Sequence, residues 1–265
     1  MTLRLVALGD STVEGLMDHG PDGTYVGWAD RFARILARLH PDLTYANLAV
    51  RGQTTQEVRE TQLEPALAMR PDVALVVAGV NDLLRPRFDG AGLRDNLLTT
   101  HRRLNEAGVR VLSFTMPDMR RVAPLTRFLR SRLLFFDDVV REAAATYGST
   151  IVDFAPVPVA GHPALWDDDR LHVNSEGHRR IAAALAEAYG VEHEDWRTEP
   201  EATVTTGAIR VTAREARWIV THMAPWVWGR LRGHEFATAG VCKRPDLLPL
   251  TPDGPAPTSP RPGPE

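Results

Sequence analysis

Short apolar segments alternate with helical patterns along the first 190 residues. Each apolar segment is aliphatic and is bounded by Gly, Pro, Asn or Asp, which is typical of strands buried on both faces. The predicted strands are Leu3–Leu8, Leu43–Ala49, Asp72–Ala78, Val109–Met116 and Thr150–Phe154. Between them, apolar residues recur at helical spacing. The predicted helices are Tyr25–Leu39, Thr55–Met69, Leu93–Ala107, Leu125–Tyr147 and Ser175–Tyr189.

This alternation, with crossovers of this length, predicts a three-layer α/β/α fold around a mainly parallel five-stranded sheet. In such sheets the functional crevice lies at the carboxyl ends of the strands. Ser11, Gly52 and Asn81 each come just after a predicted strand, and so does Asp82. We therefore expect these four residues to meet at one edge of the sheet.

The pattern changes after the last predicted helix, for which Asn174 is the expected N-cap and Gly190 the residue just past its end. Up to this point, residues 1–190 read as one domain. The remaining segments are a polar linker at 191–208, a basic, Trp-containing helical extension at 209–235 and a Pro-rich tail at 236–265. Eight of the last 21 residues are proline, so we expect the tail to be disordered.

The helical extension has two interpretations. Between Gly207 and Glu235 the sequence holds five Arg against two Glu, together with three Trp. Such a segment can dock on a membrane surface. Pro225 interrupts any long amphipathic helix, which favours packing on the preceding domain instead.

Composition excludes several classes of protein. The net charge of −3 leaves no basic excess for binding nucleic acid. One cysteine, Cys242, cannot form an internal disulfide framework or a cysteine zinc site. No run of 18 apolar residues occurs, so we expect no membrane span. The N-terminus runs directly into the first predicted strand without a signal-peptide pattern, and we expect a cytoplasmic protein.

Four separated segments contain the residue types that acyl transfer to water requires. They are Gly-Asp-Ser at 9–11, Arg-Gly-Gln at 51–53, Gly-Val-Asn-Asp at 79–82 and Asp-Arg-Leu-His at 169–172. A serine hydroxyl becomes a good nucleophile when a histidine takes its proton and a carboxylate fixes the histidine tautomer. Ser11 is the candidate nucleophile, His172 the candidate base and Asp169 the candidate carboxylate.

The oxyanion that forms during acyl transfer also needs hydrogen-bond donors that are already in place. The backbone N–H groups of Ser11 and Gly52 and the side-chain amide of Asn81 are the candidate donors. Gly52 suits this position because a residue without Cβ lets the backbone approach a substrate closely. Asp10 is expected to brace the turn and to take no part in the chemistry.

These segments resemble the four blocks of the SGNH hydrolases, also called the GDSL family, over residues 1 to about 190. Thr12 replaces the leucine of the eponymous motif. The resemblance implies a flavodoxin-like fold, a triad of Ser11, His172 and Asp169, and an oxyanion hole formed by Ser11, Gly52 and Asn81. The elbow Gly-x-Ser-x-Gly of other serine hydrolases is absent, because Val13 stands where its second Gly would be.

The expected function is hydrolysis of a small-molecule carboxylic ester through an acyl-Ser11 intermediate, without metal or cofactor. Acyltransferase, thioesterase and deacetylase activities use the same triad and remain alternatives. An inert flavodoxin-like binding module is disfavoured, since no Gly-x-Gly-x-x-Gly loop is present. The acidic run at 167–169 is more simply a solvated loop than a metal site. Arg51 either pairs with an anionic substrate group or forms a structural salt bridge.

Overall fold

Six strands form one sheet at the centre of the computed structural model, which describes residues 2–21, 23–200 and 242–252. The strands are β1 (Arg4–Gly9), β2 (Thr44–Asn47), β3 (Val73–Val77), β4 (Arg110–Phe114), β5 (Thr150–Val152) and β6 (Arg244–Pro249). Their order in the sheet is β5-β4-β3-β1-β2-β6. The first five strands pair in parallel, and β6 runs antiparallel to β2.

Helices cover both faces of this sheet. They are α1 (Ser11–Glu14), α2 (Gly27–Leu39), α3 (Thr55–Thr61), α4 (Leu63–Ala68), α5 (Val80–Leu83), α6 (Gly90–Glu106), α7 (Arg130–Tyr147) and α8 (Ser175–Tyr189). Alternate residues of β1 enter two apolar cores, since Leu5 packs in the core with α2 and α8 while Val6 packs in the core with α3 and α4. The three-layer prediction is therefore confirmed. No helix of the described residues is long and apolar enough to cross a membrane.

Two predicted helices differ in their detail. The segment 55–69 forms two helices instead of one, because Pro65 has no N–H to donate to the carbonyl of Thr61. The segment 125–147 begins as a 3-10 helix at Pro124–Leu129 and becomes α7 only at Arg130. By contrast, α8 has the bounds that the sequence predicts, with Asn174 as its N-cap and Gly190 in the left-handed region at its end.

The sixth strand corrects the prediction of a five-stranded sheet and of a tail disordered throughout 236–265. Strand β6 lies at the sheet edge, where proline is tolerated because one side of the strand needs no ladder hydrogen bonds. Arg244 anchors it: its buried guanidinium donates from Nε to the Tyr45 carbonyl at 2.7 Å. Leu250, just beyond the strand, is also buried. Proline content alone predicts disorder and misses these side-chain anchors.

Lys243, the only lysine in the sequence, ties this C-terminal segment to the chain behind α1. Its Nζ donates to the carbonyls of Glu14 at 3.1 Å and Val26 at 2.7 Å. It also pairs with the buried Asp30 carboxylate at 2.8 Å. Residues 201–241, which include the helical extension expected at 209–235, lie outside the described residues, as do residues 253–265.

We expect Lys243→Met to lower the free energy of unfolding by about 3 kcal/mol, because it leaves the buried Asp30 carboxylate without its cation. Urea denaturation of the full chain measures the change. The double variant Asp30→Asn, Lys243→Met is the control and should recover part of the loss, since it removes both charges. Equal losses in the single and double variants would show that the ion pair is not the cause.

Candidate active site

The turn after β1 presents Ser11 at the carboxyl edge of the sheet. Gly9 ends the strand with φ 154°, and a Cβ here would lie 2.1 Å from the Val77 carbonyl oxygen, so only glycine fits. Asp10 is the N-cap of α1, and its Oδ1 accepts from the Thr12 N–H at 2.9 Å. Asp10 therefore braces the turn, as its position in the sequence predicts. Ser11 is the first residue of the short helix α1.

Gln62 stabilises this turn through hydrogen bonds to Gly9, and this role is not predicted from the sequence. Its Oε1 accepts from the Gly9 N–H and its Nε2 donates to the Gly9 carbonyl, both at 2.8 Å. The same Nε2 donates to Gln53 Oε1 at 2.6 Å, next to Gly52. The signal in the sequence was a polar residue at a core position of the segment 55–69, where Gln62 is buried between Val58 and Leu63.

The structure brings together the three residues predicted as a proton relay. Ser11 Oγ lies 2.7 Å from His172 Nε2, and His172 Nδ1 lies 2.6 Å from Asp169 Oδ2. The other oxygen of Asp169 accepts from the backbone N–H groups of Leu171 and His172, both at 2.9 Å. Carboxylate and imidazole are thus fixed by their own loop, in which Arg170 adopts φ 58°.

The surroundings of Asp169 stabilise its ionised form. Burial raises the pKa of Asp169, but the hydrogen bond from His172 and the two backbone donors outweigh it, and the net pKa is below its usual value. With Asp169 ionised, the His172 proton resides on Nδ1. Nε2 is then left to accept the hydrogen bond from the Ser11 hydroxyl, which is the arrangement needed to deprotonate it.

Two of the three predicted oxyanion donors are backbone N–H groups. Within the described residues, neither the Ser11 N–H nor the Gly52 N–H is hydrogen-bonded to an acceptor. Gly52 has φ 81°, a left-handed conformation that favours glycine. The Val50 N–H donates to the Gly9 carbonyl at 3.1 Å, which brings the Gly52 segment against the turn that holds Ser11.

Asn81, the third predicted donor, reaches the same edge but is already engaged. Its Nδ2 donates to the Gln53 carbonyl at 3.0 Å and to Asp10 Oδ2 at 3.3 Å. The next residue, Asp82, accepts from the Thr55 N–H and hydroxyl at 2.9 and 2.8 Å, so it fastens this loop to α3. Burial raises the pKa of Asp10 to about 6.

Arg51 lies beside Gly52 and is part of an ion pair. Its Nε is 3.0 Å from Glu14 Oε2, and a second bond joins its terminal nitrogen to the same carboxylate. The guanidinium carbon also lies 5.5 Å from the centre of the Tyr25 ring. These contacts favour the salt-bridge interpretation, and a role for Arg51 in substrate binding stays a prediction.

The acidic run at 167–169 does not act as one cluster. Asp169 faces His172, whereas Asp168 is exposed to solvent. Over the described residues, no group of three or more His, Cys, Asp or Glu is arranged to hold a metal ion.

His178 is buried one turn into α8 and links three elements behind the site. Its Nδ1 accepts from the Trp28 N–H at 3.1 Å, and its Nε2 lies 2.9 Å from the Leu16 carbonyl. These partners require a neutral ring with its proton on Nε2. His178 therefore holds α8 against α2 and the chain after α1, and it also lines a cavity beside His172.

An apolar cavity of about 60 Å³ opens beside His172. It lies between the ends of β4 and β5 and the start of α8. Its walls include Val80, Met116, Phe154, Leu165, Ile181 and Trp196. The sequence analysis did not predict this cavity, because its walls come from segments far apart in the chain.

The fold and the serine–histidine–carboxylate arrangement define a class of three-layer α/β hydrolases, and comparison with known proteins agrees. Residues 7–180 match the GDSL-like lipase/acylhydrolase family. The chain belongs to this family, and it is a carboxylic ester hydrolase. The SGNH resemblance seen in the sequence is thereby confirmed.

Individual relatives support this assignment. The acetylxylan esterase of Geobacillus stearothermophilus is 25% identical over 214 residues, which cover 71% of this chain and 94% of that protein. A variant of the acetyl xylan esterase Axe2 from the same organism has a TM-score of 0.59 at 19% identity, covering 73% of this chain and 97% of its own. The esterase EstA from Pseudoalteromonas sp. has a TM-score of 0.54 at 18% identity, covering 71% and 96%. The two structures demonstrate the shared fold.

We expect His178→Gln to weaken the acid sensitivity of the fold. Burial lowers the pKa of His178 from 6.5 to about 4. Between these values the unfolded chain binds a proton that the folded protein does not, so the free energy of unfolding falls as the pH drops through this window. Glutamine can keep both hydrogen bonds but does not titrate.

Urea denaturation at several pH values between 4 and 7 measures this effect. The slope of unfolding free energy against pH should be smaller in the variant by up to about 1.4 kcal/mol per pH unit. A comparison of slopes remains valid even if the variant is less stable at every pH. Parallel curves for variant and wild type would contradict the assignment of a neutral buried His178.

Proposed function

We propose that the protein hydrolyses carboxylic esters through a covalent acyl intermediate on Ser11. The observation that carries this proposal is the continuous hydrogen-bonded chain from Ser11 Oγ through His172 to Asp169, at 2.7 and 2.6 Å. Both bonds have the short lengths typical of charge-assisted or strongly polarised hydrogen bonds. The family assignment supports the reaction class, and the geometry supports the roles of these residues.

In the first half of the reaction, Ser11 Oγ bonds to the ester carbonyl carbon while His172 Nε2 takes the hydroxyl proton. Asp169 stabilises the imidazolium that results. The bond to the alcohol oxygen then breaks, and His172 returns the proton to the departing alcohol. In the second half, His172 deprotonates a water molecule that attacks the acyl carbon. The carboxylic acid leaves, and Ser11 recovers its proton.

The Ser11 and Gly52 N–H groups stabilise the negative charge that develops on the former carbonyl oxygen. Both lack acceptors among the described residues, so they can bind the oxyanion without breaking an existing bond. Asn81 is proposed as a third donor. To contribute, its Nδ2 must exchange the long 3.3 Å contact with Asp10 for the oxyanion. Each such donor is worth on the order of 3 kcal/mol of transition-state stabilisation.

A short acyl group suits the apolar cavity beside His172. At about 60 Å³, the cavity is less than half the size of an engineered cavity of about 150 Å³ that binds benzene. The relative from Geobacillus stearothermophilus is named for an acetylated substrate, and acetyl is a two-carbon acyl group. We therefore propose acetyl to butyryl esters as substrates.

We expect Ser11→Ala to remove nearly all turnover of p-nitrophenyl acetate while the thermal unfolding midpoint stays within a degree or two. Ser11 is partly exposed, and among the described residues its side chain is hydrogen-bonded to His172 alone. Ser131→Ala, at an exposed position on α7, is the matched control and should keep full activity. A fluorophosphonate probe should label the wild type and the control only. Labelling or turnover by Ser11→Ala would refute the nucleophile assignment.

A series of p-nitrophenyl esters from acetate to octanoate tests the size of the acyl pocket. The value of kcat/KM should fall by about tenfold or more beyond butyrate, because longer chains overfill the cavity. Met116→Ala removes part of its wall and should shift the optimum to longer chains. A preference for octanoate in the wild type would contradict the proposed acyl pocket.

A further inference from the structure

Exposed arginines line the edge of the sheet next to the candidate site. We call them the basic rim, formed by Arg85, Arg87, Arg121, Arg127 and Arg130, all of which are exposed. The rim comes from two chain segments, one after β3 and one after β4. Each of these strands also ends in residues of the site.

Chain connectivity places the first segment close to the reacting centre. Arg85 is four residues after Asn81, and its N–H closes a tight turn onto the Asp82 carbonyl at 3.1 Å. Four residues span at most about 15 Å even when fully extended. In the second segment, Arg121 follows Pro117, which lines the cavity beside His172, by the same number of residues.

Arg132 joins the two segments. Its Nη1 donates to the carbonyls of Leu83 at 2.8 Å and Arg85 at 2.7 Å, although the residues are nearly fifty positions apart. Its guanidinium carbon also lies 5.2 Å from the centre of the Phe88 ring. Arg132, itself positively charged, therefore holds the two rim segments next to each other as one surface.

Among the described residues, many arginines form ion pairs with carboxylates, and the rim arginines do not. The ion pairs elsewhere include Arg59–Asp95, Arg94–Glu142, Arg102–Glu106, Arg103–Glu64 and Arg197–Glu187. In the described part of the chain, Arg38, Arg70 and Arg110 are also exposed without an ion pair, but they are far apart in the sequence and do not form a cluster with the rim. Within the described ranges, none of the five rim arginines is ion-paired.

Nearby carboxylates are already engaged. Asp82 accepts two hydrogen bonds from Thr55, Asp89 accepts from the Gly92 N–H at the start of α6, and Asp118 pairs with Arg120. Asp82 and Asp118 still attract Arg85 and Arg130 electrostatically. The five rim arginines outnumber these three carboxylates, and the excess positive charge is available to an external partner. Guanidinium groups bind carboxylates and phosphates through paired, parallel hydrogen bonds.

We propose that the basic rim binds an anionic group, a carboxylate or phosphate, on the alcohol part of the ester substrate. This proposal rests on the proposed function. If the acyl group fills the apolar cavity beside His172, the part of the substrate that extends to the exposed rim is the alcohol. A cluster of like charges at the mouth of a site also attracts oppositely charged substrates from solution.

Kinetics with three acetyl esters test this proposal. Phenyl acetate is neutral, 4-acetoxybenzoate carries a carboxylate, and 4-acetoxyphenyl phosphate carries a phosphate. The methyl ester of 4-acetoxybenzoate controls for the electronic effect of the substituent. We expect the anionic esters to have KM values about tenfold lower than the methyl ester, since each exposed pairing contributes a few-fold. Added 0.5 M salt should erase this preference.

The triple variant Arg85→Gln, Arg121→Gln, Arg130→Gln should lose the preference while its kinetics with the methyl ester stay unchanged. The matched control is Arg38→Gln, Arg102→Gln, Arg197→Gln, which removes the same charge from exposed positions outside the rim and should keep the preference. Equal KM values for anionic and neutral esters in the wild type would overturn the proposal, and so would equal behaviour of the two triple variants.

Two further measurements separate related outcomes. If sedimentation with phosphatidylglycerol vesicles depends on the rim while dissolved anionic esters show no preference, the rim is a lipid-docking surface and the proposal is wrong. Calorimetry with 4-methoxybenzoate, which has no ester bond, measures binding without turnover. If 4-methoxybenzoate binds in a rim-dependent way but the protein hydrolyses none of the esters, the anion site stands and the proposed hydrolysis is refuted.

Discussion

The position of Ser11 depends on how closely Gly9 packs between the neighbouring strands. The β1 backbone lies against the Val77 carbonyl at a distance that excludes any Cβ, and Gln62 satisfies both backbone polar groups of Gly9. The chain must turn immediately afterwards, and Asp10 caps the turn. This rigid exit from a buried parallel strand is what allows a four-residue helix to hold a serine in one place.

A second rigid unit, the loop at 169–172, packs against this turn although it lies about 160 residues later in the chain. Asp169 and His172 lie on one loop, where the carboxylate binds both the imidazole and the backbone of the loop itself. His178 then fixes the following helix against α2 and the carbonyl of Leu16. The Ser11–His172 hydrogen bond joins these two preformed units, and the contact between His178 and the Leu16 carbonyl supports it.

The C-terminal segment adds a third constraint on the same region. The family match ends at residue 180, yet Lys243 reaches back to the carbonyls of Glu14 and Val26. The Glu14 side chain in turn holds Arg51, the neighbour of Gly52. A segment beyond the matched domain is thus bonded to the end of α1 and is linked through Glu14 to Arg51, the residue next to a proposed oxyanion donor.

The sequence by itself determined the alternation of strands and helices, the caps of α8 and the residues that follow each strand, because these depend on local periodicity and on the geometry of parallel sheets. It therefore predicted that Ser11, Gly52 and Asn81 would meet. Only the tertiary structure decided the partners of Gln62 and Arg51, the cavity beside His172, the pairing of β6 and the joining of the two rim segments by Arg132. These features depend on contacts between residues distant in the chain, and side-chain hydrogen bonds of that kind leave no periodic signal in a sequence.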